Sequence, residues 1–410
     1  MGNFSKRHNG KVVSSDSSDR PGWKGPGYVK KAEPKPKKLK EEPETVEPEV
    51  PQHVLPVELQ QLLLNIFKDA FPDLIVSNDL KPTLQEVKQA LYERDFARAF
   101  GKQEYLEAYS VRWSPSRALC YGSILVELRQ HLNGIPLQRT RQETGKDPIE
   151  SSETTGATLP VVSLGGGAAE IIAFGALSRY AQLASNLPDT PTEIEDGAEG
   201  LAQDFGGLSI RDIWKTIDLI LLDNAAWGDV VSRLQKGLIS LPVLSKYANA
   251  STREANRSLL TEGDLATTFQ CQDVLGLSPS QLKNLVGTSP MLVTILFTLN
   301  ELYTSSIAKT TALLLNLTAA VSQGTLLLVV DSPGSYSETT IGKEAKKYPM
   351  HFLLDHTLIG KSKAKGGENA PPTWEKIISE DSKWFRRPKE IKYLIELEDM
   401  RYQLHLYRRL

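Results

Sequence analysis

Residues 158–331 alternate short apolar runs with longer stretches of helical periodicity, and this alternation constrains the fold more than any other feature. The apolar runs predict strands at 159–165, 217–223, 268–274, 292–299 and 324–331. The stretches between them predict helices at 168–185, 225–236, 278–287 and 301–322. Strands connected through helices form parallel sheets covered on both faces. We therefore expect an α/β fold with a mostly parallel, Rossmann-like sheet, and segment 393–410 suits antiparallel strands at its end.

The remaining segments differ from this region in composition. Residues 1–52 are rich in proline, lysine, serine and glutamate and poor in aliphatic residues, which predicts a disordered tail. The lysines at 30–31 and 35–40 fit a nuclear address or an electrostatic contact with RNA as well as they fit a solvated tail. We expect four parts: the tail (1–52), an N-terminal helical region (53–133), a polar loop (134–157) and an α/β domain (158–410) with an insertion at about 186–212.

Composition excludes several classes of protein. The chain has a formal net charge of −2 and two cysteines, with no CxxC pair or Cys/His cluster. Its six histidines show no metal-ligand spacing and GxSxG is absent, so we expect no metal site and no hydrolase. The amino terminus is polar, and no uncharged apolar run reaches the about 18 residues of a membrane span. We expect an intracellular protein without a membrane contact.

The sharpest local signal is segment 161–170, VVSLGGGAAE, in which an apolar strand runs into Gly165, Gly166 and Gly167 and a helix follows. Glycine at such a turn lets a nucleotide-like ligand lie against the backbone, where a Cβ would block it. The helix N-terminus would offer free N–H groups to ligand oxygens. A dinucleotide fingerprint needs glycine where Glu170 stands, and the P-loop lysine is absent, which favours S-adenosylmethionine over phosphate-containing ligands. A flexible turn without a ligand is the alternative.

Polar residues end the other predicted strands. Asp223 ends the second strand, where a carboxylate can accept both hydroxyls of a ribose. Asp273 ends the third strand and is a candidate partner of an adenine amino group, while Asn300 and Glu301 follow the fourth and are expected to face the same cleft. Each side chain has a structural alternative as an ordinary strand-ending or turn-capping residue.

Two weaker candidates lie on predicted helices. Trp227 follows the second strand closely and is a candidate for stacking on adenine, although helix packing fits it better. Arg117 is a candidate for a phosphate contact, although a solvated helix surface fits it better.

Eight segments together carry a resemblance to a known family: SPSRALCYGSIL, VVSLGGGAAE, LDNAAW, TFQCQDVL, ILFTLNELY, GTLLLVVDSPGSYSE, DSKWFRRP and LEDMRYQLHLYRR. The chain resembles the fungal 25S ribosomal RNA uridine-N3 methyltransferases, of the type without a ferredoxin-related insert, over residues 55–410. The segments GGGAAE, LFTLNELY and MRYQLHLYRR are the most specific.

This resemblance implies a class I methyltransferase with a seven-stranded sheet and S-adenosylmethionine bound across the strand ends. By position, it implies a methionine-side loop at 165–167, a ribose partner at Asp223, an adenine partner at Asp273 and a cleft motif near the methyl group that begins at Asn300. Many class I enzymes have an acidic residue two positions before the first glycine, where Ser163 stands here, and Glu170 is the candidate replacement.

The resemblance also implies a substrate and a place of work. It implies that the chain acts on large-subunit ribosomal RNA during ribosome assembly, in the nucleus at the nucleolus, with the cytoplasm as the alternative location. We also expect a monomer. Uridine N3 carries a proton on the pairing edge, so the base must be unpaired and the proton must leave. Glu301 or Glu170 would take the proton, Tyr303 or Tyr336 would stack on the base, and the N-terminal lysines with the basic stretches 361–365 and 383–389 would contact phosphates.

Two other functions stay open from the sequence. An NAD-dependent oxidoreductase shares the strand–glycine–helix pattern and Asp223, but the third fingerprint glycine and a catalytic Tyr-x-x-x-Lys are missing. A non-catalytic ribosome assembly factor with a degenerate methyltransferase fold is compatible with Ser163 and with the basic ends of the chain. Methyl transfer would distinguish the enzyme from both.

Overall fold

The structure, a computed structural model, describes residues 54–137, 157–185, 214–244, 246–254, 256–334, 338–341, 346–360 and 372–410. These residues belong to one unit that spans Pro51–Leu410. Some expectations fall outside the described residues: the tail at 1–52, most of the loop at 134–157, the insertion at 186–212, the basic stretch at 361–365 and Tyr336.

Nine strands are present in the described part of the chain: β1 (Ala157–Leu164), β2 (Trp214–Asp223), β3 (Leu265–Cys271), β4 (Leu292–Leu296), β5 (Leu326–Asp331), β6 (Glu338–Ile341), β7 (Lys346–Pro349), β8 (Trp374–Phe385) and β9 (Met400–Arg409). Seven of them form one sheet in the order β3-β2-β1-β4-β5-β9-β8, while β6 and β7 pair separately. The first five strands of the sheet are parallel, and β9 runs antiparallel to both β5 and β8. The predicted mostly parallel seven-stranded sheet is confirmed.

The described helices are α1 (Val57–Ala70), α2 (Pro72–Val76), α3 (Leu80–Tyr92), α4 (Phe96–Ala99), α5 (Gln103–Arg112), α6 (Ser114–Glu127), α7 (Arg129–Asn133), α8 (Ala168–Ser185), α9 (Gly228–Ile239), α10 (Ala250–Glu254), α11 (Pro279–Val286), α12 (Leu299–Ser305), α13 (Ile307–Ala320) and α14 (Met350–Leu358). None of them has both the length and the apolar character needed to cross a membrane.

Alternate residues along the central strands face opposite sides of the sheet, and each side has its own core. Val161 packs in a cluster with buried residues of α1, α5, α6, α8 and α9. Val162, one position on, packs in a second cluster with buried residues of α11 to α14. The sheet is therefore covered by helices on both faces, as the near-continuous apolar strands predict.

The N-terminal helices complete the first core. Leu119 and Tyr121 of α6 are buried in the same cluster as Ile172 and Phe174 of α8. Proline lies in the first turn of α6, where its missing N–H costs no helical hydrogen bond. Helix α6 packs against α8. The start of α6 lies at the same edge of the sheet as the glycine loop, which directly precedes α8.

Three predicted boundaries near the strand ends are wrong. Strand β4 ends at Leu296 rather than at residue 299, because Phe297 adopts a left-handed conformation (φ +55°) that a strand does not allow. The helix expected at 301–322 is two helices, divided at Ser306, which has extended backbone and whose hydroxyl accepts a hydrogen bond from Lys309 N–H at 3.3 Å. Strand β3 ends at Cys271, so Asp273 lies beyond it.

Candidate cofactor and catalytic site

A cavity of about 250 Å³ lies at the carboxyl ends of β1, β2 and β4. Its wall includes the glycine loop, the segments that follow β2, β3 and β4, and residues of α4 to α6. Six of the predicted site residues line it: Gly165, Gly167, Glu170, Asp223, Asp273 and Glu301. Gly166 and Asn300 do not line this cavity.

The N–H groups of the glycine loop are already bonded within the protein. Gly165 and Gly166 both donate to the carbonyl oxygen of Leu222, at 2.7 and 3.3 Å. Gly167 donates to Oε2 of Glu170 at 2.7 Å. These three N–H groups are therefore occupied within the protein. The expected free N–H groups belong to the N-terminus of α8, where Ala168 and Ala169 line the cavity, and that expectation stays a prediction.

Packing within the protein explains the second and third glycines. A Cβ on Gly166 would lie 2.6 Å from Oγ of Ser163, beneath the loop. A Cβ on Gly167 would lie 3.1 Å from the indole ring of Trp227. From the sequence we expected a ligand to occupy the space that a Cβ would fill, but at these two positions Ser163 and Trp227 occupy it.

Ser163 itself does not take the place of an acidic cofactor ligand. The residue is 1% exposed, and its hydroxyl oxygen accepts a hydrogen bond from Oγ1 of Thr294 on the neighbouring strand at 2.9 Å. It is not among the residues that line the cavity. Glu170 on α8, whose carboxylate accepts a hydrogen bond from Gly167 N–H, contributes a carboxyl group to the cavity wall instead.

Burial raises the pKa of three carboxyl groups in the cavity wall. The pKa is about 7 for Glu170, about 7 for Glu301 and about 6 for Asp223. Burial is the largest cause for each of them, and hydrogen bonds from the N–H groups of Gly167 and Ala225 act in the opposite direction for Glu170 and Asp223. Carboxyl groups that titrate near neutral pH can hold or accept a proton during a reaction.

The two aspartates at the strand ends also stabilise local turns. Oδ1 of Asp223 accepts a hydrogen bond from Ala225 N–H at 2.7 Å. Oδ1 of Asp273 accepts one from Leu275 N–H at 2.9 Å and caps a short 3-10 turn. Both aspartates therefore stabilise turns, as the structural alternative expects. A carboxylate has about four acceptor positions, so one backbone bond leaves capacity for a ligand.

Asn300 lies in the first turn of α12, where its backbone N–H donates to Oδ2 of Asp331 at 3.0 Å. Asp331 ends β5, is 2% exposed and also accepts a hydrogen bond from Ser332 N–H at 2.8 Å. Burial raises the pKa of Asp331 to about 6. Sequence reasoning missed Asp331, although it ends a predicted strand in the same way as Asp223. The placement of Asn300 near the methyl group stays a prediction.

Arg117 is a cation of the cavity wall that sequence reasoning placed incorrectly. A solvated helix surface was the favoured expectation, but Arg117 is half-buried and lines the cavity. The guanidinium carbon lies 5.4 Å from the ring centre of Tyr109 and 5.2 Å from that of Phe297. Among the described residues the Arg117 guanidinium forms no ion pair, although the carboxyl groups of Glu170 and Glu301 lie close enough to favour its charged form.

Aromatic side chains line the cavity, but not all of those expected. Trp227 is 6% exposed, and its ring centre lies 5.8 Å from those of Phe100 and Tyr109, so it both lines the cavity and packs in an aromatic cluster. Tyr303 is 1% exposed within the second core and cannot stack on a base. Phe297, which sequence reasoning missed, is half-buried and lines the cavity.

The fold brings together two histidines that the sequence spacing did not connect. Ligand atoms of His351, Asp381 and His405 lie within 4.8 Å of one another. Nδ1 of His405 lies 3.2 Å from Oγ of Ser379, and Nε2 lies 3.0 Å from Oε1 of Gln403, so both ring nitrogens already have partners. Burial lowers the pKa of His405 to about 4, which keeps the ring neutral. The absence of a metal stays a prediction.

A larger cavity of about 1050 Å³ lies near the carboxyl end of α9. It is lined by α1, by Arg179, and by the segment from Arg233 to Leu244 with residues 256–259. No residue from the carboxyl ends of the central strands reaches it, so the chemistry predicted at those ends belongs to the smaller cavity.

The strand order, the antiparallel last strands, the glycine loop after β1 and the acidic residue that ends β2 define a class I S-adenosylmethionine-dependent methyltransferase. The chain belongs to the family described as "Putative SAM-dependent methyltransferase", whose model matches residues 67–408. S-adenosylmethionine is thus the cofactor, and the nicotinamide alternative is not favoured.

A relative with a named activity is similar to this chain over most of its length. The chain is 28% identical over 356 residues to the 25S rRNA (uridine(2843)-N(3))-methyltransferase of Saccharomyces cerevisiae, which covers 85% of each protein. Among solved structures, a SAM-dependent methyltransferase of Methanosarcina mazei covers 62% of this chain and 93% of its own, at 8% identity and a TM-score of 0.30. The N-methyltransferase NodS of Bradyrhizobium japonicum covers 61% and 78%, at 8% identity and a TM-score of 0.27. These two structures carry no conclusion about function.

Proposed function

We propose that this chain transfers a methyl group to N3 of a uridine in large-subunit ribosomal RNA. The observation that carries the proposal is Glu301, a carboxyl group with a pKa of about 7 in the wall of a methyltransferase cavity. Alkylation of uridine N3 requires removal of a proton, and a group that titrates near neutral pH suits that task. The similarity to the yeast uridine-N3 enzyme along 85% of the chain supports the same substrate.

The side chains of the cavity wall fit the parts of S-adenosylmethionine. The Asp223 carboxylate would hold the ribose hydroxyls, and Asp273 would hold the amino edge of adenine. Glu170 would face the ammonium group of the methionine part, beside the wall formed by Gly165 and Gly167. When bound, S-adenosylmethionine supplies an electrophilic methyl group, and the protein supplies alignment.

The reaction forms a bond between N3 and the methyl carbon, breaks the bond between that carbon and sulfur, and releases the N3 proton. The Glu301 carboxylate accepts this proton. Asn300 precedes Glu301, and its N–H is fixed to Asp331, so the first turn of α12 holds Glu301 in place. Phe297, rather than Tyr303, stacks on the base.

The surface at the carboxyl end of β8 suits single-stranded RNA. Trp384 is 53% exposed, and the guanidinium groups of Arg386 and Arg401 lie 5.0 and 6.0 Å from its ring centre. This aromatic ring between two cations lies in the basic stretch 383–389. An exposed ring can stack on a base while neighbouring arginines contact phosphates. The target uridine must be unpaired, so a single-stranded element is the expected substrate.

The proposed substrate sets the proposed location. Large-subunit ribosomal RNA is assembled into pre-ribosomes in the nucleus, and we place the chain there, at the nucleolus. In this proposal it works as a monomer without a metal or a membrane, and the N-terminal lysines assist its contact with RNA.

The direct test uses the full chain, S-adenosylmethionine with a tritiated methyl group, and large-subunit ribosomal RNA from cells that lack this protein. After digestion, the labelled nucleoside is identified against authentic N3-methyluridine by chromatography and mass spectrometry. The variant Glu301→Gln should lower the rate at least about 100-fold, with little change in affinity for S-adenosylhomocysteine. Label on another nucleoside would overturn the uridine-N3 assignment. Binding of S-adenosylhomocysteine without any transfer would favour the assembly-factor alternative.

A further inference from the structure

The wall of the cofactor cavity has an uneven distribution of charge. Among the described residues it contains the carboxyl groups of Glu170, Asp223, Asp273 and Glu301 but only two cations, Arg117 and Lys309. Lys309 is exposed in the first turn of α13, whereas Arg117 is half-buried. S-adenosylmethionine has cationic sulfonium and ammonium groups and one anionic group, the carboxylate of its methionine part. The many carboxyl groups suit the cations, and the single anion needs a partner.

The backbone around the glycine loop does not supply that partner at its three glycines. The N–H groups of Gly165 and Gly166 are directed to Leu222 O, and the N–H of Gly167 is directed to Glu170. A ligand carboxylate beside this loop therefore needs a partner other than these three N–H groups, and a cation in the wall can neutralise it. Arg117 is the half-buried cation available, because within the described residues its guanidinium forms no ion pair.

We propose that Arg117 binds the carboxylate of the methionine part of S-adenosylmethionine. The proposal rests on the cofactor assignment made above. The rings of Tyr109 and Phe297 flank the guanidinium, at 5.4 and 5.2 Å, and hold it in position without using its N–H donors. A guanidinium so placed can form a bidentate contact with a carboxylate at little cost in side-chain order.

This contact gives the N-terminal helices a function beyond packing. Arg117 and Tyr109 lie on α6 and α5, outside the seven-stranded sheet, while Phe297 follows β4. The cofactor carboxylate would thus connect the helical region to the turn after β4. The cavity would be complete only when both are in place.

The test measures, by calorimetry, the affinity of the full chain for two ligands, S-adenosylhomocysteine and 5′-methylthioadenosine, which lacks the amino-acid part. Arg117→Gln should weaken binding of S-adenosylhomocysteine at least about tenfold, the scale of a lost charged hydrogen bond. Binding of 5′-methylthioadenosine should change by less than about twofold. Arg117→Lys should restore part of the loss. The control Lys88→Gln, at an exposed lysine of α3 outside the cavity wall, should leave both affinities unchanged.

The outcomes separate this proposal from the function on which it rests. Failure of the unmodified chain to bind S-adenosylhomocysteine would overturn the cofactor assignment itself. Normal binding by the unmodified chain with equal affinity for Arg117→Gln would overturn the role of Arg117 alone. Equal weakening of both ligands would also overturn it, because a damaged cavity, rather than a lost carboxylate contact, affects the adenosine part. If both affinities stay unchanged and the same variant binds labelled single-stranded RNA more weakly in an anisotropy titration, Arg117 contacts phosphate instead.

Discussion

The side chain of Thr298 fills the space in which a side chain on Gly165 would lie. Gly165 has φ +78°, and a Cβ built on it would overlap both the methyl group and the hydroxyl of Thr298. Thr298 follows Phe297, whose left-handed conformation turns the chain after β4 and whose N–H donates to Val330 O at 2.7 Å. The loop after β1 and the turn after β4 are therefore interlocked beside the cavity.

Gly165→Ala should lower the free energy of unfolding by about 2–5 kcal/mol, the sum of left-handed strain and overpacking. Gly263→Ala is the matched control, because Gly263 also has positive φ (+94°) but nothing lies within 4 Å of its Cβ position. That variant should lose only the strain energy, about 1–2 kcal/mol. Thr298→Ala should relieve part of the overlap, because the Cβ at position 298 stays 2.8 Å from the added one. Gly165→Ala in that background should therefore cost less than in the unmodified chain, but more than Gly263→Ala. Urea unfolding measures these three single variants and the double variant against the unmodified chain.

An equal loss for Gly165→Ala with and without Thr298→Ala would contradict the interlocking of the two turns. The cost at Gly165 would then come from backbone conformation alone, and the two segments would move independently.

Replacing Glu301 should change the pH dependence of stability. Its pKa is raised by burial to about 7 in the folded protein, so between its ordinary value of 4.5 and 7 the folded state binds more protons than the unfolded state. The contribution of Glu301 to stability is therefore full at low pH and is lost as pH rises through this window. Glu301→Gln should match the unmodified chain near pH 4.5 and become progressively more stable than it up to about pH 7. Unfolding in urea at a series of pH values measures this difference.

The exposed Glu375 of β8 provides the control for this series. Glu375→Gln should show no gain of stability across the same pH range. A constant difference between Glu301→Gln and the unmodified chain at every pH would show that the Glu301 carboxyl is not desolvated in the folded protein.

The elements that carry the site were predictable because their signals are local. The strand–glycine–helix pattern predicts β1 and α8, and an acidic residue after an apolar run predicts the ends of β2 and β5. The helix 168–185 matches α8 at both ends. The central strands of a parallel sheet are buried on both faces, so each appears in the sequence as a continuous apolar run. The alternation of these runs with helical stretches therefore indicated the fold class.

The parts that could not be predicted depend on contacts between distant segments. Arg117 resembles any helical arginine until α6 packs beside α8 and turns its start towards the strand ends. Phe297 has positive φ although phenylalanine rarely adopts it, because the hydrogen bond to Val330 and the packing around the turn determine the conformation. The break at Ser306 had a local signal, since serine is a good N-cap, but it lay within a continuous apolar pattern.

Trp384→Ala should weaken binding of single-stranded RNA by about 1–3 kcal/mol, the usual contribution of one base stacked on an aromatic ring. The ring is exposed between Arg386 and Arg401, and it lies outside the cofactor cavity, so affinity for S-adenosylhomocysteine should not change. Tyr92→Ala is the control, because Tyr92 is 86% exposed on α3 without such arginine neighbours among the described contacts. Fluorescence anisotropy with a labelled oligonucleotide measures the affinities. Equal losses for the two variants would contradict a specific RNA contact at Trp384.

Affinity for S-adenosylhomocysteine should depend on the ionisation of Asp223. Burial raises its pKa to about 6, and a protonated carboxyl group loses acceptor capacity towards the ribose hydroxyls. The unmodified chain should therefore bind more weakly as pH falls through 6. Asp223→Asn keeps an acceptor for Ala225 N–H but should bind about 1–3 kcal/mol more weakly at pH 8, with a smaller change in affinity between pH 8 and 5.5. Calorimetric titration at several pH values measures both proteins.

The pKa of Glu170 is also raised, to about 7, so the affinity of each protein changes with pH for a second reason. The contribution of Asp223 is therefore the difference between the pH profiles of the two proteins. Parallel pH profiles would place the ribose away from Asp223, whereas convergence of the two affinities at low pH would support the contact.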